Sequence, residues 1–173
     1  LMRTFRNPID LTGLGGIRVE RFVRDVTALG SFGVAALFVG SVGGYLVMSA
    51  RANQARTLLV ITIGGWLLGN ALKIAVARPR PEVVPMLDTV SDASMPSGHT
   101  LMATLLYFTL AGIFSLNTQN ERLRRFAFNI ALLLACAVGV SRVYLGVHWP
   151  TDVLVAFALG TAWTAAALRL LTK

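Results

Sequence analysis

Residues 26–50 read VTALGSFGVAALFVGSVGGYLVMSA, with no charged side chain from end to end. About 20 apolar residues suffice to cross a bilayer, so this stretch alone predicts a membrane span. The rest of the chain agrees. Of its 173 residues, 55% are hydrophobic and 14% charged, with a mean hydropathy of +0.66. A soluble domain carries roughly 25% charged residues, so lipid is the expected solvent, and the length fits one domain over 1–173.

Outward from that first run, charge-poor segments give four more spans, so the set lies near 26–50, 57–77, 99–116, 126–145 and 151–171. The expected fold is an all-α, polytopic transmembrane bundle. Its third to fifth spans are short when cut at charged residues, which is acceptable where terminal turns carry ionisable groups facing the protein. Before the first span, IRVERFVRDVT (17–27) sets Ile17, Phe22 and Val23 against Arg18, Arg21, Arg24 and Asp25. This predicts an amphipathic helix within an interfacial segment, 1–25, lying on the membrane; a solvated juxtamembrane helix fits the same pattern. Gly40, Gly43 and Gly44 in the first span and Gly64, Gly65 and Gly69 in the second suggest close helix approach.

Net charge is +8, from 16 basic and 8 acidic residues. In a membrane chain such an excess serves orientation and lipid headgroups. No basic stretch is interleaved with aromatics as a nucleic-acid surface requires, so no nucleic-acid partner is expected. The single cysteine, Cys136, excludes an internal disulfide and a thiolate metal cluster, and reads as a small buried hydrophobe. No cleavable signal peptide is expected.

Five crossings sort the loops into two sets. One end of the bundle carries the N-terminus and the segments around 78–98 and 142–150, with both histidines of the chain. The other carries Arg51, Arg56, Arg122, Arg124, Arg125, Arg169 and Lys173 against one acid, Glu121. The positive-inside rule makes the second end cytoplasmic and the reactive end extracytoplasmic.

Three clusters at the reactive end carry chemistry. Lys73 and Arg80 stand seven residues apart, on one side of a helix that Pro79 and Pro81 should stop. Ser97 is a natural N-cap for the third span, Gly98 admits a ligand near the backbone, and His99 follows at the same helix end, a ready anion site. Arg142 precedes His148 and Asp152, which are four apart. In helical geometry the carboxylate would accept one imidazole proton and leave the other nitrogen free. Singly, these are snorkelling cations, a capped helix start and a partnered interfacial histidine. Jointly they collect fixed cations suited to a phosphoryl group, with neither the acidic cluster magnesium needs nor the histidine set zinc needs.

KIAVARPRP (73–81), PSGH (96–99) and SRVYLGVHWPTD (141–152), in this order and spacing, resemble the three signatures of the type-2 phosphatidic acid phosphatase family. That family shares its phosphate-site architecture with vanadium haloperoxidases and glucose-6-phosphatase. The resemblance implies a membrane lipid phosphatase acting on a lipid phosphate or pyrophosphate among membrane lipids, in a bacterial inner membrane, with neither cofactor nor metal. It gives His148 the role of nucleophile forming a phosphohistidine, Asp152 that of its orienting partner, and His99 that of proton donor to the leaving oxygen. Lys73, Arg80, Ser97, the Gly98 N–H and Arg142 would hold the phosphoryl oxygens. Membrane members commonly have six spans, which places a sixth before residue 1. Phosphatidic acid, phosphatidylglycerophosphate, undecaprenyl pyrophosphate and lipid A phosphates all remain open as substrates. A phosphotransferase using a lipid phosphate donor and a non-catalytic lipid-phosphate transporter are the rival readings.

Overall fold

The computed structural model describes residues 1–171; Lys173, assigned above to the cytoplasmic end, lies outside them. Among the described residues there is no strand, only an isolated bridge between Arg6 and Gly13. Six α-helices follow: α1 (Gly16–Ala28), α2 (Phe32–Met48), α3 (Ala52–Val76), α4 (Gly98–Leu116), α5 (Glu121–Tyr144) and α6 (Pro150–Leu171). Four of them, α3 to α6, are long and apolar enough to cross a membrane. A fifth span arises if α1 and α2, bent by 42° at their junction, count as one. By itself α2 has 17 residues, about 26 Å at 1.5 Å per residue, the short end of what a bilayer needs.

The junction explains why the first span does not begin at residue 26. Residues 26–28 complete α1, and Ser31 caps α2 by accepting the Val34 N–H. The carbonyl of Leu29, freed at the break, accepts the Tyr107 hydroxyl at 2.8 Å. Gly30 permits the bend: a Cβ there would stand 2.5 Å from the His99 carbonyl oxygen and 2.7 Å from Val138. Other helix starts also shift. α5 begins at Glu121, five residues before the expected span, because the Asn120 side chain caps the Arg122 and Leu123 N–H groups. α3 ends at Val76 with Ala77 left-handed, φ 46°, ahead of the prolines expected to stop it.

α4 is the central helix, packed against α2, α3, α5 and α6. Its Leu105 and Leu106 are fully buried. The outer helices turn Leu37, Leu67, Leu133 and Leu154 outward, as a bundle solvated by lipid does. Cys136 is exposed on α5, against its reading as buried. The glycines divide by helix. A methyl group on Gly69 would come within 2.3 Å of Leu101, and one on Gly65 within 2.5 Å of Leu105, so α3 and α4 touch through them. Gly40, Gly43 and Gly44 meet nothing within 4 Å, so in α2 the close-packing reading fails.

The N-terminal segment is more than an interfacial arm. Ile17 and Phe22 of α1 do face outward, but α1 packs along α5 and buries Thr27. Met2 is buried with Val84 and Val143. The Arg6 guanidinium, 3% exposed, donates to the carbonyls of Tyr144 (2.7 Å) and Pro85 (3.1 Å). This strap fixes the roof of the reactive end.

Candidate active site

Every residue from Ser141 to His148 is buried, a run that carries the last turn of α5 into the turn before α6. Pro150 takes the first position of α6, where its missing N–H costs nothing. Asp152, two residues on, reaches back to accept the Trp149 N–H at 2.9 Å, one half of a capping box. His148 therefore lies before the helix, and the expected helical i to i+4 pairing with Asp152 gives way to this turn. The Asp152 carboxylate stands 3.6 Å from His148 Nδ1, in ion-pair range and beyond a hydrogen bond. Its oxygens are instead engaged by Arg78 at 2.8 Å, by the Ser94 hydroxyl and by the Trp149 N–H.

The other imidazole nitrogen decides the tautomer. Arg80 Nη1 lies 3.4 Å from His148 Nε2 while donating at 2.6 Å to the Val147 carbonyl. An arginine can only donate, so Nε2 presents its lone pair to that side and the ring proton falls to Nδ1, facing Asp152. Burial pushes the His148 pKa below its ordinary value. Asp152 opposes this, and the Arg80 and Arg142 charges add to it.

Lys73, Arg80, Gly98, His99, Arg142 and His148 all line one cavity of about 200 Å³. Lys73 sits in the last turn of α3. Arg80 lies beyond that helix, in the 77–97 loop, so helical periodicity is not what aligns the two cations. They meet through Asp92, whose carboxylate contacts Lys73 Nζ and, at 2.5 Å, Arg80 Nη2. Burial alone would raise the Asp92 carboxyl, but these two cations hold it down at about 2. Arg142, 1% exposed, donates to Asp88 at 2.9 Å and to the Thr27 hydroxyl at 3.2 Å.

Ser97 takes the N-cap position of α4 but caps nothing with its side chain. Its hydroxyl is fully buried 3.0 Å from that of Thr100, and it does not line the cavity. Gly98 does line it, and a Cβ there would sit 3.8 Å from Lys73 Nζ. Among the described residues no three His, Cys, Asp or Glu side chains gather as a metal site would need. What the cavity offers is three cations, a helix N-terminus and two histidines, His99 and His148, on its wall, a set of groups that can cradle an anion.

Sequence reasoning missed Arg78, Ser94, Asp88, Asp92, Thr27 and Arg6. Only Arg78 carried a signal, as the first arginine of an Arg-Pro-Arg-Pro run. The others are ordinary polar residues whose partners lie far along the chain.

Next to the reactive cavity, an apolar groove of about 410 Å³ runs between α2 and α3. Phe32, Trp66 and Met102 line both spaces, so the groove adjoins the cavity that holds the cations.

Residues 54–173 match the family model of the PAP2 superfamily. The chain is 31% identical over 136 residues to phosphatidylglycerophosphatase B of Bacillus subtilis (strain 168), covering 78% of this chain and 66% of that protein. It is 29% identical over 144 residues to lipid A 1-phosphatase of Rhizobium etli, covering 72% and 57%. The crystal structure of the transmembrane PAP2-type phosphatidylglycerolphosphate phosphatase from Bacillus subtilis superposes with a TM-score of 0.81 at 25% identity, over 98% of this chain and 80% of that one. The chain thus spans about two thirds or less of the length of these curated relatives.

Proposed function

The chain belongs to the PAP2 superfamily, and from that premise we propose that it is an integral-membrane lipid phosphatase. It would release phosphate from a lipid phosphomonoester or diphosphate through a phosphohistidine on His148, without a metal ion. The observation that carries the mechanism is the placement of His148, buried with Nε2 3.4 Å from Arg80 in a cavity shared with Lys73, Arg142 and His99.

In the first step Nε2 attacks phosphorus, the bond from phosphorus to the leaving oxygen breaks, and His99 gives that oxygen its proton. In the second, water attacks the phosphohistidine, His99 takes the water's proton, and inorganic phosphate leaves with His148 restored. Asp152 steadies the Nδ1–H side as positive charge develops on the ring. Phosphoryl transfer is mostly positioning and charge stabilisation, and Lys73, Arg80, Arg142 and the Gly98 N–H, away from bulk water, supply both. Ser97 contributes by orienting the start of α4 through Thr100. The groove between α2 and α3 suits an acyl or prenyl tail, which would stay in lipid while the headgroup enters. The excess of arginine at the opposite end supports an extracytoplasmic active site, in a bacterial inner membrane.

The test is phosphate release by the purified protein in detergent with excess EDTA, over lipid phosphates and diphosphates, with His148→Ala and His99→Ala alongside. Release that survives EDTA, vanishes in His148→Ala with loss of trapped phosphoenzyme, and falls most for poor leaving groups in His99→Ala is expected. A fully active His148→Ala protein would sink the mechanism. A phosphorylated acceptor in place of free phosphate would make the protein a transferase.

A further inference from the structure

The loop between α3 and α4 carries two carboxylates, and both rest on the cations that the function above assigns to the phosphoryl group. Asp92 bridges Lys73 and Arg80, and Asp88 holds Arg142. All three cavity cations are therefore already paired, by residues four apart on one irregular segment. Asp92 is 58% exposed and stays ionised throughout the neutral range. Asp88 lies deeper, at 28%.

We infer that Asp88 and Asp92 are resident competing anions that keep phosphodiester headgroups from occupying this site until a terminal phosphoryl group displaces them. The inference rests on the phosphatase reading, and its reasoning is electrostatic. A membrane presents phosphodiester headgroups at high local density, and three bare cations at its surface would collect them. A diester offers one charge and two free oxygens, about what a carboxylate already offers, so exchanging one for the other gains little. A terminal phosphoryl group carries about 1.5 to 2 negative charges at neutral pH and three free oxygens. It spans Lys73, Arg80 and Arg142 together and displaces both carboxylates at once. Asp92 can give way because its carboxylate, once released, returns to water instead of being stranded. Any ligand pays for that displacement through the fraction of molecules in which the cations are free, and only the terminal phosphoryl group recovers the cost.

The experiment uses the whole protein in detergent micelles, with phosphatidic acid as substrate, rising mole fractions of phosphatidylglycerol as diester competitor, and thermal unfolding of each variant as the check on folding. Asp92→Asn should show an inhibition constant for phosphatidylglycerol about tenfold lower than the parent's, and Asp92→Glu, which keeps the charge, should behave as the parent. Equal sensitivity in a folded Asp92→Asn protein overturns the inference. Calorimetric binding of inorganic phosphate separates this result from a failure of the phosphatase reading, because it needs no turnover. Tighter phosphate binding by Asp92→Asn than by the parent supports the competing-anion role even if no lipid is hydrolysed. Unchanged binding refutes it even if the phosphatase is active.

Discussion

The two sides of the reactive cavity are built differently. On one, Arg142 and His148 belong to an unbroken buried run between α5 and α6, with Asp152 fully buried behind them and joined to Arg78, Ser94 and the Trp149 N–H. On the other, Arg80 stands on the 77–97 loop and Lys73 in the last turn of α3, both paired with the exposed Asp92. Apart from the Arg142–Asp88 pair, the first side is fixed by packing and by buried hydrogen bonds. The second is held by ion pairs that water or a ligand can exchange. A nucleophile needs a fixed line of attack, while a phosphate cradle that opens for its ligand needs contacts of the second kind.

The largest expected effect separates the sides by asking what each cation does for folding. Arg142→Ala should cost about 10²- to 10³-fold in kcat/KM, the scale of removing one preorganised donor. It should also cost about 2–4 kcal/mol of stability, because the Arg142 side chain, 1% exposed, leaves a hole in the packed run. Lys73→Ala should lose comparable activity with a stability change within about 0.5 kcal/mol, since its partner Asp92 is exposed. Phosphate release and thermal unfolding of the two variants measure both quantities. Equal losses of stability would erase the distinction.

Two glycines sharpen it next. Gly30→Ala drives a methyl group into the His99 carbonyl and Val138, so the backbone on the packed side must shift, at about 1–3 kcal/mol. Gly98→Ala meets only the flexible end of Lys73 at 3.8 Å and should cost less than about 1 kcal/mol. Denaturation in the same detergent orders them, and a larger loss at Gly98 would contradict the division.

What the sequence displayed follows the same line. Charged residues stand out in an apolar chain, and counting spans puts Lys73, Arg80, His99, Arg142 and His148 at one end. The structure gathers these five around one cavity. The break at Gly30 was invisible, because an uncharged run looks the same bent or straight and only the approach of His99 demands the glycine. Asp88, Asp92 and Ser94 were equally silent. They lie in an irregular segment with no period to read, and Ser94 meets Asp152 across 58 residues of chain. Ser97 was legible as a cap position but not in its bond to Thr100, which depends on how deeply α4 starts inside the bundle.

Arg78 tests whether the packed side relies on its outer supports. It does not line the cavity, yet it holds Asp152 Oδ1 and the Thr151 hydroxyl while lying over the Trp149 ring at 5.4 Å. Arg78→Ala should lower kcat about tenfold through misplacement of the Asp152–His148 pair, with KM little changed because no phosphate contact is lost. A raised KM with an intact kcat would mean that Arg78 meets the substrate directly.

The smallest effect is a displacement of the pH profile, and it reports whether the exchangeable side acts on the packed one at a distance. Burial, with the charges of Arg80 and Arg142, holds the His148 pKa below its ordinary value. The neutral form therefore persists as pH falls through about 6.5, where a free histidine would be half protonated. The acid limb of kcat/KM should accordingly lie below that point. Arg80→Gln removes one of the charges that depress the pKa, so protonation of His148 sets in at higher pH and the limb moves up toward the ordinary value. Comparing the variant with the parent on one substrate cancels the substrate's own second ionisation, which falls in the same range. A limb that stays in place would confine Arg80 to holding phosphate. A limb that moves down would mean that the acid limb does not report His148, because loss of a neighbouring cation can only raise the pKa of a histidine.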